Sequence, residues 1–311
     1  MSRIVIALGG NALGNTPAEQ KKLIEQTVIP IADLIADGHQ VVIVHGNGPQ
    51  VGMINLGMSA AAETQVIPAD MPFPECGAMS QGYIGYHLQN GLQAELRQRG
   101  IERPVVTLVT QVAVDPKDPA FTNPTKPIGA FYCESDARRL AEEKGYAMKE
   151  DAGRGWRRVV ASPAPVEIVE IAPVRTLLES GQIVITCGGG GIPVVDDGVK
   201  LTGVPAVIDK DASAATLAEQ LNADILIILT AVEHVAINFG KPDQRELTQI
   251  TDKEALSYCE QGQFAPGSML PKVQAAIRFV SQHPRRKAII AALEKAGDAI
   301  RGESGTTIMA D

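Results

Sequence analysis

The most constraining feature of this chain is a set of short, uninterrupted runs of branched aliphatic residues at 4–8, 41–44, 105–109, 183–186 and 225–229, with helical patterns between them. A strand with one wetted face alternates apolar and polar residues. A continuous run instead predicts strands buried on both faces, as in a mostly parallel sheet covered by helices. The first crossover is the most legible. Thr16 is placed to cap a helix, Pro17 fits its first position, and Glu19 completes a capping box. Leu23, Thr27, Ile31 and Leu34 then mark one face, and Gly38 supplies a left-handed stop. Pro30 is expected to kink this helix without ending it. Strand, helix and strand within about 45 residues predict a βαβ unit with a right-handed crossover.

Composition removes several alternatives. Across 311 residues the apolar content is 45%, ample for a full core and incompatible with intrinsic disorder. Aromatic residues make up only 4% and the formal net charge is -8, which argues against a stacking surface or a polyanion partner such as nucleic acid. The cysteines at 76, 133, 187 and 259 form no C-x-x-C pair, so a disulfide scaffold or zinc site is not expected and a reducing cytoplasm is the simpler setting. The start of the chain enters an apolar run without a basic leader, and no run is long enough to span a membrane.

Between Asp115 and Pro127 the composition changes, with prolines at 116, 119, 124 and 127, and a charged segment continues to Arg158. Residues from about 118 to 162 are read as a small subdomain inserted in the main sheet; a long surface loop with one helix is the alternative.

The chemistry concentrates in glycine turns and lysines. Gly9-Gly10-Asn11 follows the first strand, and His45-Gly46-Asn47-Gly48-Pro49-Gln50-Val51-Gly52 follows the second. Successive glycines let backbone N–H groups converge on phosphate oxygens, although each turn alone also reads as a tight strand-to-helix connection. Two such turns at neighbouring strand ends point to a shared anion site beyond the carboxyl edge of the sheet. The second is close to a dinucleotide fingerprint, but no acid-ending strand follows, so a nicotinamide fold is a weak rival. A third turn, Gly188-Gly189-Gly190-Gly191, admits close approach by a substrate or by another backbone. Lys210, between Asp209 and Asp211 at a helix start, is placed to neutralise a phosphate, with Asp211 orienting lysines or approaching magnesium. Lys272 opens another helix, where its charge opposes the dipole unless an anion is present. Lys126, stiffened between Pro124 and Pro127, reads as an ammonium on a movable element or as an exposed loop lysine. Ala78-Met79-Ser80-Gln81-Gly82 only approximates a nucleophile elbow, since 71–74 reads as loop and not as the required strand. The histidines show no metal spacing and there is no P-loop motif.

Together these segments resemble the carbamate kinase branch of the amino-acid kinase family. The resemblance runs along nearly the whole chain, through Ala7-Leu8-Gly9-Gly10-Asn11-Ala12-Leu13, the 45–52 segment, Ser80-Gln81-Gly82-Tyr83-Ile84-Gly85-Tyr86 and Asn123-Pro124-Thr125-Lys126-Pro127-Ile128-Gly129. It continues in Arg157-Arg158-Val159-Val160-Ala161-Ser162-Pro163, residues 188–193, Val207-Ile208-Asp209-Lys210-Asp211 and Gly267-Ser268-Met269-Leu270-Pro271-Lys272. It implies an α/β fold in one domain spanning 1–311: a three-layer αβα sandwich on a mostly parallel sheet of about eight strands, with the 118–162 subdomain protruding. It also implies a homodimer, and reversible phosphoryl transfer from ATP to carbamate to give ADP and carbamoyl phosphate. By the same resemblance Gly9, Gly10, Asn11, Gly46, Asn47 and Gly48 would hold the transferred phosphoryl. Lys210 and Lys272 would bridge the β and γ phosphates with Asp211 arranging both, and Lys126 would close over the carbamate end. Asp209, Ala231, Val232, Val235 and Met269 would contact the nucleotide, and Mg2+ would be held mainly by the phosphates. Carbamate is already an anion at neutral pH, so such a reaction needs positioning and charge neutralisation and no general base. The competing readings are a kinase of another carboxylate and a nucleotide-binding regulator that has lost catalysis.

Overall fold

The computed structural model describes residues 1–9, 14, 16–151 and 153–311. The chain opens with β1 (Arg3–Leu8), α1 (Pro17–Ala36) and β2 (Gln40–His45); α2 (Gln50–Glu63) and α3 (Phe73–Gln98) then lead to β3 (Val105–Thr107) and β4 (Gln111–Val114). There follow β5 (Lys126–Tyr132), α4 (Glu134–Lys144), β6 (Met148–Glu150) and β7 (Trp156–Val160). Next come β8 (Pro165–Ile168), α5 (Ile171–Glu179), β9 (Ile183–Ile185), β10 (Ile192–Asp196), β11 (Leu201–Gly203), α6 (Lys210–Gln220) and β12 (Ile225–Thr230). The last part holds β13 (Val235–Ile237), β14 (Arg245–Leu247), β15 (Gln249–Thr251), α7 (Asp252–Glu260), α8 (Met269–Ser281), β16 (Lys287–Ala292), α9 (Ala296–Arg301) and β17 (Thr306–Met309).

Eight strands form one sheet in the order β15-β17-β16-β12-β1-β2-β9-β3. Neighbours from β3 to β16 are parallel, and only β17 and β15 run the other way. Each aliphatic run named from the sequence supplies a strand of this sheet, although β3 stops at Thr107 and Val109 is exposed, and the reason is visible in the sheet's faces. Ile4, Ile6, Leu8, Val41 and Ile43 pack with Ile24 and Ile31 of α1 and Ile84 and Leu88 of α3. Their strand neighbours Val5, Ala7, Val42 and Val44 pack on the opposite side with Leu178 of α5, Leu217 of α6 and Phe279 of α8. Both faces are dry, so neither residue parity tolerates a polar side chain. The result is an α/β sandwich of three layers, as expected. Its sixth parallel strand, β16, is not among the five named runs, because with three alanines in Lys287–Ala292 it carries a weaker strand signal than a run of branched residues.

Local signals behave in mixed fashion. Thr16 Oγ1 accepts from the Glu19 amide at 3.2 Å, Pro17 occupies the first turn, and Gly38 sits at φ +83° just past the end of α1. Pro30 is buried inside the helix, which continues to Ala36, while the buried stripe runs through Ile24, Thr27, Val28, Ile31, Leu34 and Ile35 and not through Leu23. Residues 71–74 are not all loop: α3 begins at Phe73, whose ring packs with Val51 and Cys76. Ser80 therefore lies within a helix and donates to the Gly77 carbonyl at 2.7 Å, which disposes of the elbow.

The 188–191 glycines are required by packing. A Cβ on Gly188 would fall 2.5 Å from His45 Nε2, one on Gly189 2.1 Å from Asn47 Nδ2, and one on Gly191 2.2 Å from Val112 Cγ2. Gly190 combines φ +93° with a Cβ position 2.2 Å from the Ile208 carbonyl oxygen, which is backbone and has little room to yield. This turn thereby locks β9 against the β2 turn and against the segment leading into α6.

Beyond the main sheet stand a second sheet, β11-β10-β4-β8, the hairpin β13-β14, and a separate antiparallel sheet β5-β7-β6. That last sheet touches the rest at few places. Gly129 abuts Gly52 on α2, Ile128 and Val160 pack with Val51 and Phe73, and Lys144 pairs with Glu63. Gly190→Ala is expected to lower folding stability by about 1–3 kcal/mol, the usual cost of forcing atoms into a filled interior. Urea denaturation of the purified variant measures it.

Candidate active site

In a parallel sheet buried on both faces, the only surface the strands offer a ligand is their carboxyl edge. Here that edge opens into a cleft of about 580 Å³. Its floor is Gly9 after β1, Gly46 to Gly48 after β2, Leu229 to Ala231 at the end of β12, and Leu293 and Glu294 after β16. The first residues of α2, α6 and α8 also line it, so three helix N-termini converge there, each favouring negative charge. The roof comes from the small sheet: Lys126, Pro127, Ile128 and Gly129 of β5, and Arg157 of β7.

The cationic side chains are not loose. Asp211, 3% exposed in its side chain, accepts from Lys210 Nζ through one oxygen and from Lys272 Nζ at 2.8 Å through the other. Two ammonium groups from helices 61 positions apart in sequence thus share one carboxylate. Burial pushes the Asp211 carboxyl up, but the charges of Lys210 and Lys272 and their hydrogen bonds outweigh it and hold it at about 2. Burial pushes the Lys210 ammonium down, with Lys272 adding to that and Asp211 opposing. A single carboxylate leaves these two ammonium groups short of negative charge, which an anion such as a phosphate would supply.

Asp209 does two jobs. One oxygen caps α6, accepting from the amides of Asp211 at 2.9 Å and Ala212 at 3.4 Å; the other accepts from Lys126 Nζ at 2.7 Å. That ion pair ties the small sheet to the core across the cleft mouth. Below it, Asn47 Nδ2 donates to Ser80 Oγ at 3.1 Å, and the Gly46 amide donates to the Leu8 carbonyl at 3.2 Å. His45 is fully buried; burial pushes it down to about 4, so at neutral pH the ring is uncharged, with Nδ1 hydrogen-bonded to the Gly46 carbonyl at 2.7 Å.

The structure therefore brings together Gly9, Gly46, Asn47, Gly48, Lys126, Asp209, Lys210, Asp211, Ala231 and Lys272. Gly10 and Asn11 lie outside the described residues. Of the remaining expected nucleotide contacts, Val235 needs correction. It has no exposed surface, pairs with Leu247 in the β13-β14 hairpin and belongs to the core, so its side chain is packing and not cleft wall. Val232 and Met269 are half-buried and do not line the cleft, although Met269 opens the helix that carries Lys272. Sequence reading missed Thr230, Leu293 and Glu294, which the strand-end rule would have found once β12 and β16 were both recognised. It also missed Arg157, which carries no local signal beyond its place in a quoted segment.

A family model described as the amino acid kinase family matches residues 2–291. The chain belongs to the amino acid kinase family. Among curated relatives within it, a carbamate kinase of Clostridium perfringens (strain 13 / Type A) is 57% identical, covering 99% of this chain and 99% of its own. A carbamate kinase-like protein, YqeA of Escherichia coli (strain K12), is 56% identical over 98% of each. Among solved structures, a Giardia lamblia carbamate kinase bound to AMP-PNP superposes with a TM-score of 0.92 at 46% identity, over 100% of this chain and 99% of that one. For this member of the amino acid kinase family, the buried lysine pair is the test of how far the site depends on one carboxylate. Asp211→Asn keeps the shape and leaves two buried ammonium groups unneutralised, so stability is expected to fall by about 3–5 kcal/mol at pH 7. The folded pKa of Asp211 lies below its unfolded value, so its contribution is fully present above the ordinary carboxylate pKa of about 4 and is lost as pH falls through about 2. Urea titrations of both proteins should therefore show the gap narrowing over that window.

Proposed function

We propose that this protein transfers a phosphoryl group reversibly between ATP and carbamate, and that carbamoyl phosphate plus ADP is the favoured starting pair. The observation that carries the reading is the Lys210–Asp211–Lys272 bridge, set in one cleft with the Gly46 to Gly48 turn and with Lys126 at its mouth. In the ATP-forming direction an oxygen of the ADP β-phosphate forms the new P–O bond. The P–O bond to the carbamoyl oxygen breaks, and carbamate leaves with the electron pair. No proton has to move at the nucleophile, which fits a lining with no histidine among the described residues.

Lys210 and Lys272 neutralise charge on the transferred group and hold the chain of phosphates, while Asp211 keeps both ammonium groups at one point without swinging them away. The Gly46 amide is spent on the Leu8 carbonyl, so in the β2 turn the Asn47 and Gly48 amides are the ones that face the transferred phosphoryl. The adenosine end lies toward Ala231, where apolar Leu229 and Leu293 also line the wall. Among the described residues no group of three or more His, Cys, Asp or Glu side chains gathers as a metal site. Mg2+ carried on the phosphates fits that donor set, since Asp209 and Asp211 are already committed to lysines, and when bound it supplies further charge neutralisation.

The segment from about 118 to 162 acts as a cover that carries Lys126 over the carbamate end. Its own sheet, its sparse contacts and the Lys126–Asp209 pair support this role. Exposed Met53 and Leu56 on α2 and Met79 and Tyr86 on α3 support a homodimer. No helix among the described residues is long and apolar enough to cross a membrane.

A coupled assay with carbamoyl phosphate, ADP and magnesium is expected to show ATP formation. Lys210→Ala and Lys272→Ala should fold and lose about 100- to 1,000-fold in turnover, the scale of removing one preorganised charge-stabilising donor. Near-normal turnover in both variants overturns their assigned roles, and activity with acetylglutamate but not with carbamoyl phosphate moves the reading to a different carboxylate kinase. Sedimentation at micromolar concentration should report a dimer; a monomer removes the homodimer from the proposal.

A further inference from the structure

Among the described residues four cationic side chains line the cleft, and three of them, Lys126, Lys210 and Lys272, have places in the reading above. The fourth is Arg157. It stands on β7, the strand that pairs with β5, and its guanidinium is anchored to the β5 irregularity where Nη2 donates to the Gly129 carbonyl at 3.2 Å. Nη1 reaches Asp151 Oδ2 at 3.3 Å, and the guanidinium carbon lies 5.0 Å from the centre of the Phe131 ring. Nε is buried and meets no acceptor among the described residues. A guanidinium carries five N–H donors in a rigid fork. Here one is orphaned and two are spent on long single contacts, so the group is held in place with much of its donor capacity unused.

Scaffolding alone does not account for it. Arg154 lies 5.2 Å from the same Phe131 ring and takes the same Asp151 carboxylate at the shorter distance of 2.8 Å, yet it lines no part of the cleft. Two arginines thus share one ring and one carboxylate, and only the more weakly paired one faces the ligand space. Its position along the cleft is also informative. Gly129, to which Arg157 is tied, touches Gly52 in the first turns of α2, on the side of the Gly46 to Gly48 turn. Ala231 and Leu229 follow from β12, and β1 lies between β12 and β2 in the sheet.

We infer that Arg157 is a substrate-binding residue, whose guanidinium receives the planar O–C–O group of the non-nucleotide substrate: the carboxylate of carbamate, or the carbonyl oxygen of carbamoyl phosphate. A planar fork of donors matches that group and a lysine ammonium does not, which explains an arginine at this one position beside three lysines. The assignment rests on the carbamate kinase reading, and it makes the small sheet contribute two charges to the acceptor end, Lys126 and Arg157.

The test compares Arg157→Ala, Arg157→Lys and Arg154→Ala with the unaltered chain in ATP formation from ADP and carbamoyl phosphate. Arg157→Ala is expected to lower kcat/KM for carbamoyl phosphate by about 10- to 100-fold, the worth of one hydrogen-bonded charge, with KM for ADP unchanged. Millimolar guanidinium chloride should restore part of the loss in Arg157→Ala and none in Lys210→Ala. Arg157→Lys should fall between, and Arg154→Ala should match the unaltered chain. The inference is overturned by an unchanged kcat/KM in Arg157→Ala, by a parallel rise in KM for ADP, or by an equal loss in Arg154→Ala, which marks a structural effect on the small sheet. Should Arg157→Ala fail to fold, the Arg157→Lys and Arg154→Ala pair decides by the same criteria. An unaltered chain that makes no ATP from carbamoyl phosphate overturns the underlying reading itself, so the two failures are told apart.

Discussion

Two ammonium groups repel, and burying them together is costly unless something negative lies between. Asp211 is that negative group, and much of the site follows from where it has to sit. It must occupy the first turn of α6, where amides and helix dipole favour a carboxylate. It must also be reached by Lys210 beside it and by Lys272 from the start of α8. Sharing one carboxylate between two lysines leaves a surplus of positive charge in a space of about 580 Å³. An isolated protein tolerates that arrangement because the three groups are hydrogen-bonded and the two lysines keep some contact with solvent. In the proposed reaction a phosphate-bearing ligand completes it.

The sheet decides where such a cluster is possible. With both faces of β1, β2 and β12 packed against helices, the middles of these strands are apolar and their polar residues, Arg3, Gln40, His45 and Thr230, stand at the ends, so chemistry is displaced there. There the glycine turn at 188–191 matters as much as the charges. Its four missing side chains let β9 close against His45, Asn47, Val112 and the Ile208 backbone, which fixes the β2 turn relative to the start of α6. Catalytic geometry of this kind rests on close backbone approach at a distance from the lysines themselves.

The small sheet obeys a different rule. It contacts the core through a handful of side chains and the Lys126–Asp209 pair, and it stands apart from the main hydrophobic clusters. Such an element has lower local stability than the sandwich beneath it, which suits the covering role proposed for it.

The aliphatic runs, the capped first helix and the glycine turns were legible because each is a local consequence of burial on two faces, of unsatisfied amides at a helix start, or of backbone crowding. Lys210 and Asp211 stood out locally as charges between an apolar strand and a helix start, whereas Lys126 and Lys272 read equally as surface lysines until the family resemblance was taken in. The amino-acid order alone determined a mostly parallel sheet covered by helices and pointed to its strand ends, while the family resemblance, and not the local pattern, singled out Lys126 and Lys272. Only the folded chain decided that one carboxylate serves two lysines, that Asp209 caps α6 while receiving Lys126, that Val235 belongs to the core, and that Arg157 rather than Arg154 faces the cleft. Those are questions of distance between segments far apart in sequence, and side-chain pairing across such distances is fixed by how layers pack, which no local pattern encodes.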